Sequence, residues 1–172
     1  MAERVSMEQL NAMPTGEAVA LCGGFFENSP WIVEAALKQR PFDNVEQFHR
    51  ACMEVIAESG EEAQVELIRA HPDLVGRLAR QGRLTRESTA EQAAAGLDAL
   101  SEEEIGAFES YNSEYKERFG FPFVICARRN RKEAILAAFP RRLEQQKKEE
   151  IKTAIREIGE IARLRMADTL AE

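Results

Sequence analysis

The stretch Ser101-Glu102-Glu103-Glu104 begins the segment of the chain that decides the fold. A serine followed three residues later by a glutamate is typical of a capping box, in which each side chain accepts a hydrogen bond from the other residue's backbone N–H at the start of a helix. Apolar residues follow at helical spacing at Ile105, Phe108 and Tyr115, and glycine is common just past a helix end. The stretch therefore predicts an amphipathic helix that ends at Gly120.

The pattern of apolar residues changes after this glycine. Phe121-Pro122-Phe123-Val124-Ile125-Cys126-Ala127 is an uninterrupted apolar run that contains a proline. Such a run is too short for a helix and predicts an extended, buried segment, most of which packs in the core. A buried backbone outside a helix must still satisfy its N–H and C=O groups. The groups of residues 123–127 are therefore also a candidate surface for a flat, amide-rich ligand.

Helix signals of the same kind recur along most of the chain. The predicted helices run from Ser29-Pro30 to about Lys38, from Asp43 to Gly60, from Glu61 to Ala70, from a second capping box at Ser88 to Gly96, from Asn130 to an interruption at Pro140, and from about Leu143 to Leu170. The sequence contains no fixed-period repeat, no flexible linker and no alternation of strands with helices. It therefore predicts an all-α fold of about seven to nine helices. We expect a single domain that spans residues 1–172.

Composition limits the class of protein. Of the 172 residues, 44% are hydrophobic and 31% charged, as in soluble globular proteins. A net charge of −7 argues against a nucleic-acid partner. Three cysteines without a Cys-x-x-Cys pair indicate a reduced, intracellular protein. No apolar stretch approaches the ~18 residues of a membrane span and no signal-peptide core is present, so we expect a cytoplasmic protein without a membrane partner.

The sequence lacks the motifs of several common cofactor-binding and catalytic sites. Neither glycine-rich nucleotide loop occurs, and the two histidines show no zinc-ligand spacing. The Gly-x-Ser-x-Gly motif of serine hydrolases is missing as well. An enzyme with this sequence is therefore expected to work without a metal or an organic cofactor.

His71 is the most informative polar residue. It lies at the predicted end of a helix and directly before Pro72, and a proline keeps the preceding residue out of helical conformation. Two interpretations have equal weight: a histidine that binds the last carbonyls of the helix, or an imidazole held in place for proton transfer near neutral pH. The other histidine, His49, lies mid-helix between Phe48 and Arg50 and is expected at the surface.

Ser88, Glu91 and Gln92 form a second candidate group at the predicted start of a helix. A capping box explains Ser88 and Glu91 without any ligand, and on physical grounds alone this interpretation is favoured. A helix N-terminus also attracts anions, and the side chain of Gln92 can both donate and accept hydrogen bonds. The group therefore has a structural and a ligand-binding interpretation, and both stay open.

Arg165 lies on the apolar stripe of the last predicted helix, after Ile158 and Ala162. A guanidinium on such a face is costly unless it is paired. Either its stem packs while its head reaches solvent, or the guanidinium is buried and binds a carboxylate or a carbonyl.

Four segments form an ordered set of motifs. They are His71-Pro72-Asp73-Leu74; Leu84-Thr85 with Ser88, Glu91-Gln92 and Ala95-Gly96-Leu97-Asp98; Asn112 and Tyr115 with Phe119-Gly120-Phe121-Pro122-Phe123; and Ile161-Ala162 with Leu164-Arg165. Together they resemble the 2-oxo-4-hydroxy-4-carboxy-5-ureidoimidazoline (OHCU) decarboxylase family of uric acid breakdown. The first motif alone is weak evidence, whereas the four in this order are specific.

The resemblance implies an all-α fold, usually a homodimer, that needs no metal or organic cofactor and removes CO2 from OHCU to give (S)-allantoin. It implies His71 as the catalytic histidine that handles a proton, Glu91 as the residue that orients it or repels the carboxylate, and Arg165 as the residue that holds a substrate carbonyl. The implied substrate contacts are Pro72, Ser88, Gln92 and the backbone of Phe123, Val124, Ile125, Cys126 and Ala127. In this interpretation all of these groups converge on one cavity.

Two other functions stay open. One is a catalytically silent, dimeric helical adaptor in which His71 and Arg165 are structural residues. The other is a different cofactor-free enzyme, such as a hydrolase or racemase, that acts on a related ureide or hydantoin. The presence of every polar residue expected at the pocket favours the decarboxylase.

Overall fold

Helices make up most of the chain in the computed structural model, which describes residues 2–76 and 81–172. Within those ranges the α-helices are α1 (Met7–Ala12), α2 (Thr15–Cys22), α3 (Trp31–Leu37), α4 (Val45–Glu58), α5 (Glu61–Arg69), α6 (Arg86–Ala94), α7 (Glu102–Phe119), α8 (Lys132–Leu143) and α9 (Lys147–Thr169). Short 3₁₀ turns lie at Gly23–Phe25 and Ala127–Arg129. The predicted all-α class is confirmed. The exception is one short parallel pairing of β1 (Val5–Ser6) with β2 (Leu170–Ala171), which no sequence pattern indicated.

Two compact units divide the chain. The first joins the N-terminal part, through Leu67, to Gly159–Glu172, and the second is Ile68–Ile158. Helices α1 to α4 and both strands belong to the first unit, and α6 to α8 belong to the second. None of the helices in the described residues combines the length and the apolarity that crossing a lipid bilayer requires.

The strongest local signals fold as predicted. The Ser101 hydroxyl accepts a hydrogen bond from the N–H of Glu104, whose carboxylate accepts one from the N–H of Ser101 at 3.1 Å. Helix α7 ends at Gly120, where a φ of +80° suits a residue without a Cβ. Helix α5 ends just before His71, as the proline that follows requires.

Two predicted N-caps are wrong because another polar residue one to three positions away makes the capping bond. Helix α4 is capped by Asn44, which accepts from the N–H of Gln47 at 2.9 Å, whereas Asp43 bonds the side-chain amide of Gln47. Helix α6 is capped by Thr85, whose hydroxyl accepts from the N–H of Ser88 at 3.2 Å. Ser88 is therefore inside the helix, and the predicted capping box at this residue does not form.

Three further helix boundaries differ because side chains bond local carbonyls or a helix tolerates a proline. The Ser29 hydroxyl donates to the carbonyl of Glu27, and α3 begins after Pro30 without a side-chain cap. The Asn130 amide donates to the Cys126 carbonyl at 2.9 Å instead of capping α8. Pro140 lies inside α8, which continues to Leu143, so the predicted interruption is wrong.

His49 is buried in the first unit, which corrects the surface position expected from the sequence. Its Nε2 lies 2.8 Å from the carbonyl oxygen of Gly159 on α9. A Cβ at position 159 would lie an ordinary 3.9 Å from Nε2 of His49, and its one close neighbour would be the mobile end of the Met53 side chain. The partner is more than a hundred residues away along the chain, so no local pattern reveals it.

Protein stability is expected to depend on pH through His49. Burial is the main cause that lowers its pKa, with the Arg163 charge acting in the same direction and the Gly159 carbonyl, Glu46 and Glu160 opposing it. The unfolded chain therefore binds this proton more readily, and the stability that is fully present above pH 6.5 is lost as the pH falls through the folded pKa. Urea denaturation at several pH values should show that the free energy of unfolding falls more steeply with decreasing pH in the wild type than in His49→Gln. Parallel pH profiles for the two proteins would contradict this assignment.

The second unit contains the extended segment predicted from the apolar run. Residues 121–127 are all buried and lie between α7 and the 3₁₀ turn at Ala127–Arg129. The Phe123 ring stacks on Phe139 of α8 with 3.9 Å between centroids and meets the edge of Tyr115 of α7 at 5.3 Å. Aromatic packing on two sides thus holds a backbone that has no helix or sheet ladder of its own.

Candidate active site

His71 lies in a turn that directly follows α5. Its backbone N–H donates to the carbonyl of Ile68 at 3.1 Å, and the residue is only 7% exposed. Pro72 follows and ends the helical conformation. The imidazole is therefore carried by a short, constrained segment, which suits a group that must be held in one place.

The turn after His71 is tied to two helices of the second unit. The Asn112 amide of α7 donates to the carbonyl of Leu74 at 2.8 Å, and the N–H of Val75 donates to the side-chain carbonyl of Gln92 on α6 at 3.1 Å. Val75 has a φ of +55°, a conformation that is strained for a β-branched residue. Gln92 thus supports a strained turn through its oxygen, so a substrate contact would fall to its NH2 group.

Helix α6 presents its candidate residues on adjacent faces. Ser88 and Gln92 are buried and lie one turn apart, whereas Glu91 is half-buried. The helix packs against the 3₁₀ turn at Ala127–Arg129. Burial is the main cause that raises the pKa of the Cys126 thiol; the backbone and the charge of Arg129 oppose this effect, and the negative charges of Glu157 and Glu91 add to it. Glu91 therefore lies on the helix that packs against the end of the extended segment.

The backbone of residues 123–127 is not as free as the sequence suggested. The Val124 carbonyl accepts from Nη1 of Arg142 at 2.6 Å, and the N–H of Cys126 donates to Glu157 at 3.3 Å. The Ala127 carbonyl accepts from the N–H of Asn130. The expectation of a free backbone is therefore wrong for these three groups, because side chains and a turn already satisfy them.

Arg165 belongs to the first unit, where it is a buried and paired guanidinium. Its Nη2 donates to Glu27 at 2.9 Å, and its Nη1 donates to the carbonyl of Gly24 at 2.9 Å. Arg165 is 4% exposed and Glu27 is 2% exposed. Of the two interpretations offered by the sequence, the buried, paired arginine is confirmed and the solvent-reaching head is wrong. The cavity that His71 and Arg165 were expected to share stays a prediction.

Two cavities of the second unit are lined by predicted site residues. His71 and Pro72 line a cavity of about 670 Å³ together with the cationic side chains of Arg69, Arg83 and Lys116. Gln92 lines another cavity, of about 310 Å³. Both volumes suit a small organic molecule; Asp73 also lines the first cavity and pairs with Lys116 at 2.6 Å, so its cationic character rests on Arg69 and Arg83.

Sequence reasoning missed the partners of several site residues. Glu27 pairs with Arg165, and Arg142 and Glu157 bind the extended segment. Each of these contacts joins residues at least 18 positions apart, so periodicity and capping patterns carry no signal for them. Within the described parts of the chain, no three histidine, cysteine or acidic side chains cluster as a metal site would require.

Comparisons with known proteins agree with the resemblance. A sequence model of the OHCU decarboxylase family matches residues 11–167. The chain is 38% identical to the 2-oxo-4-hydroxy-4-carboxy-5-ureidoimidazoline decarboxylase of Haloferax volcanii, with 95% of each chain covered. It is also 38% identical to the mouse (Mus musculus) decarboxylase of the same name, with 96% of this chain and 93% of that one covered.

A solved structure supports the fold. A crystal structure of (S)-allantoin synthase superposes with a TM-score of 0.79 at 25% sequence identity. The superposition covers 97% of this chain and 54% of that one, so this chain spans about half the length of that protein. Given a family match over most of the sequence and relatives that align along nearly their full length, the chain belongs to the OHCU decarboxylase family.

Proposed function

We propose that this chain is a carboxy-lyase that converts OHCU to (S)-allantoin and CO2 in the degradation of urate. The observation that carries the proposal is the 38% identity to decarboxylases named for this substrate, which extends over 95% of this chain. The buried histidine at the head of a constrained turn is the chemical group that such a reaction needs.

The reaction breaks one C–C bond and adds one proton to a ring nitrogen and one to a ring carbon. The bond between the carboxylate and the ring carbon that also carries the hydroxyl breaks, and CO2 leaves. The released electron pair forms a C=C bond to the neighbouring ring carbon, and the π pair of that carbon's C=N bond moves to the nitrogen, which takes up a proton. The hydroxyl proton is then removed and a proton is added to the ring carbon that carries the ureido group, so that the hydroxyl becomes a carbonyl and a C–H bond forms. One proton is consumed in total, at the ring nitrogen, and delivery of the other proton to one face of the ring carbon sets the S configuration.

His71 is the group to which we assign the transfer from the hydroxyl oxygen to the new C–H centre. An imidazole can accept and return a proton near neutral pH, and such catalysis contributes roughly 10²- to 10⁴-fold to a rate. Glu91 either orients the imidazole or repels the carboxylate and so favours its departure. Pro72 closes the pocket beside the imidazole.

Binding groups accelerate this step only where they hold the transition state better than the substrate. A clamp on the departing carboxylate would slow the reaction, so we assign the contacts to the hydantoin and ureido parts. Ser88, the amide NH2 of Gln92 and those backbone groups of residues 123–127 that protein side chains and the turn leave accessible, such as the N–H and C=O of Ile125, make these contacts. The contact of Arg165 with a substrate carbonyl, implied by the resemblance, stays a prediction.

We infer further that the protein is a cytoplasmic homodimer and that both compact units form one domain. The family resemblance, which usually implies a homodimer, supports the dimer. A reducing compartment is supported by the three buried, free cysteines, and a single domain by one family match that spans both units.

The proposal is tested by making OHCU in place from urate with urate oxidase and hydroxyisourate hydrolase. Circular dichroism then follows the appearance of (S)-allantoin. We expect the signal to rise faster with the native protein than with the same protein after heat denaturation. Equal rates would refute the decarboxylase and favour the adaptor. Activity on a related hydantoin without any effect on OHCU would instead favour a different ureide enzyme.

A further inference from the structure

The second unit contains a buried polar cluster to which the proposed function assigns no role. Glu150 of α9 is completely buried, and its Oε1 accepts hydrogen bonds from the Tyr115 hydroxyl and from Nε of Arg142, each at 2.5 Å. Burial and the bond to Glu150 raise the pKa of Tyr115, so the phenol stays a donor. One carboxylate, one guanidinium and one phenol thus form a single fixed group.

Arg142 connects this group to the extended segment. Its Nη1 donates to the Val124 carbonyl at 2.6 Å, and its guanidinium carbon lies 4.2 Å from the centroid of the Phe123 ring. One side chain therefore holds the backbone of one residue and the ring of the residue before it. Two residues further on, Glu157 accepts from the N–H of Cys126.

These two anchors set the direction of both peptide groups around Ile125. In a trans peptide the carbonyl and the N–H point in opposite directions. Because the Val124 carbonyl points to Arg142, the N–H of Ile125 points away from that arginine. Because the N–H of Cys126 points to Glu157, the carbonyl of Ile125 points away from that glutamate. A donor and an acceptor with fixed directions on one residue match the N–H and C=O pair of a cyclic urea or ureido group.

Stability alone does not explain the cluster. Nη2 of Arg142 and Oε2 of Glu150 are buried and have no hydrogen-bond partner among the described residues. Each such atom costs stability, and apolar side chains of similar volume are often at least as stabilising as a buried ion pair. The ion pair of Arg142 and Glu150 therefore requires another explanation. The hydrogen bond from Arg142 to the Val124 carbonyl supplies one.

We infer that Arg142 is a positioning residue for the decarboxylation: Glu150 and Tyr115 hold its guanidinium, and the guanidinium fixes the Val124–Ile125 peptide group against which the substrate binds. This inference rests on the proposed function. Arg142 acts through the backbone and does not itself touch the substrate. Its loss should therefore slow the chemical step without unfolding the protein, provided that its partner charge is removed at the same time.

The test is the double variant Arg142→Met/Glu150→Leu, which replaces the ion pair with apolar side chains. We expect a folded protein whose melting temperature falls by only a few degrees, because the lost charges offset the partners that the Tyr115 hydroxyl and the Val124 carbonyl lose, together with a kcat lower by roughly tenfold to a hundredfold and a KM that changes much less. Hydrogen–deuterium exchange at residues 121–127 should be faster than in the wild type. The matched control is Lys132→Met/Glu104→Gln, which removes a half-buried ion pair of the same unit, keeps a side-chain oxygen for the capping bond from Ser101, and should leave kcat unchanged.

Arg142→Lys provides a second variant, because it keeps the charge beside Glu150 and loses the planar fork that reaches Val124. The same loss of kcat is expected, and this variant decides the matter if the double variant does not fold. A folded variant with wild-type kcat and wild-type exchange in the extended segment would overturn the inference. Failure of the proposed function looks different: the wild type itself would not accelerate allantoin formation, while exchange in the variants would still report whether Arg142 holds the segment.

Discussion

Replacing His71 with asparagine is expected to lower the turnover of OHCU by roughly 10²- to 10⁴-fold, the usual contribution of a positioned general acid–base. Asparagine keeps a polar side chain of similar reach but cannot carry a proton between two atoms of the substrate. The residue is buried in a turn that Asn112 and Gln92 hold through the backbone of Leu74 and Val75. The fold should therefore survive the substitution, and the melting temperature should change by only a few degrees.

The other histidine of the chain provides the matched control for this experiment. His49 is also buried, but its contact is with Gly159 in the first unit, so His49→Asn should reduce stability and leave kcat near the wild-type value. Circular dichroism at the wavelength of (S)-allantoin measures both variants under the same conditions. If a folded His71→Asn protein retained near-full turnover, the assignment of the proton transfer to this residue would be wrong.

Replacing Arg165 with methionine is expected to cost about 3 to 5 kcal/mol of unfolding free energy, because it leaves the Glu27 carboxylate buried without its partner. Both side chains are almost fully buried, so solvent does little to compensate the lost charge. The Gly24 carbonyl loses its hydrogen bond as well. Urea denaturation measures this loss as a lower midpoint concentration of urea, provided that the m-value stays the same.

The double variant Glu27→Leu/Arg165→Met separates the structural role of Arg165 from a catalytic one. Removal of both charges should restore most of the stability, since neither is then left unpaired. If Arg165 also holds a substrate carbonyl, as the resemblance implies, the restored protein should still turn over slowly. A single variant destabilised by less than about 1 kcal/mol would show instead that Glu27 is not a buried, dependent partner.

Capping boxes and helix-ending glycines predicted those helix ends whose hydrogen bonds form between residues close in the sequence. The box at Ser101 and the glycine at 120 define α7 because their hydrogen bonds close within one turn. Competition between adjacent capping residues was not predictable in the same way. Thr85 caps α6 one turn before Ser88, and the choice depends on how the preceding loop approaches the helix.

Contacts between residues that are far apart in the sequence limited how much of the candidate site could be predicted. The position of Arg165 on an apolar stripe indicated a buried pair, but nothing near it in the sequence identified Glu27 as its partner. In the same way, the apolar run before Arg128 predicted a buried segment, but not that Arg142 would occupy the Val124 carbonyl. Helix periodicity reports which face is buried, whereas the identity of the opposing group depends on the complete fold.

The short pairing of β1 with β2 has a mechanical consequence for the first unit. The strands run parallel, with Val5 opposite Leu170 and Ser6 opposite Ala171. A tensile load that draws the chain preceding β1 away from the chain following β2 acts along the strands, so the hydrogen bonds are sheared together rather than unzipped one after another. Even a two-residue ladder therefore adds resistance to stretching along the strand direction.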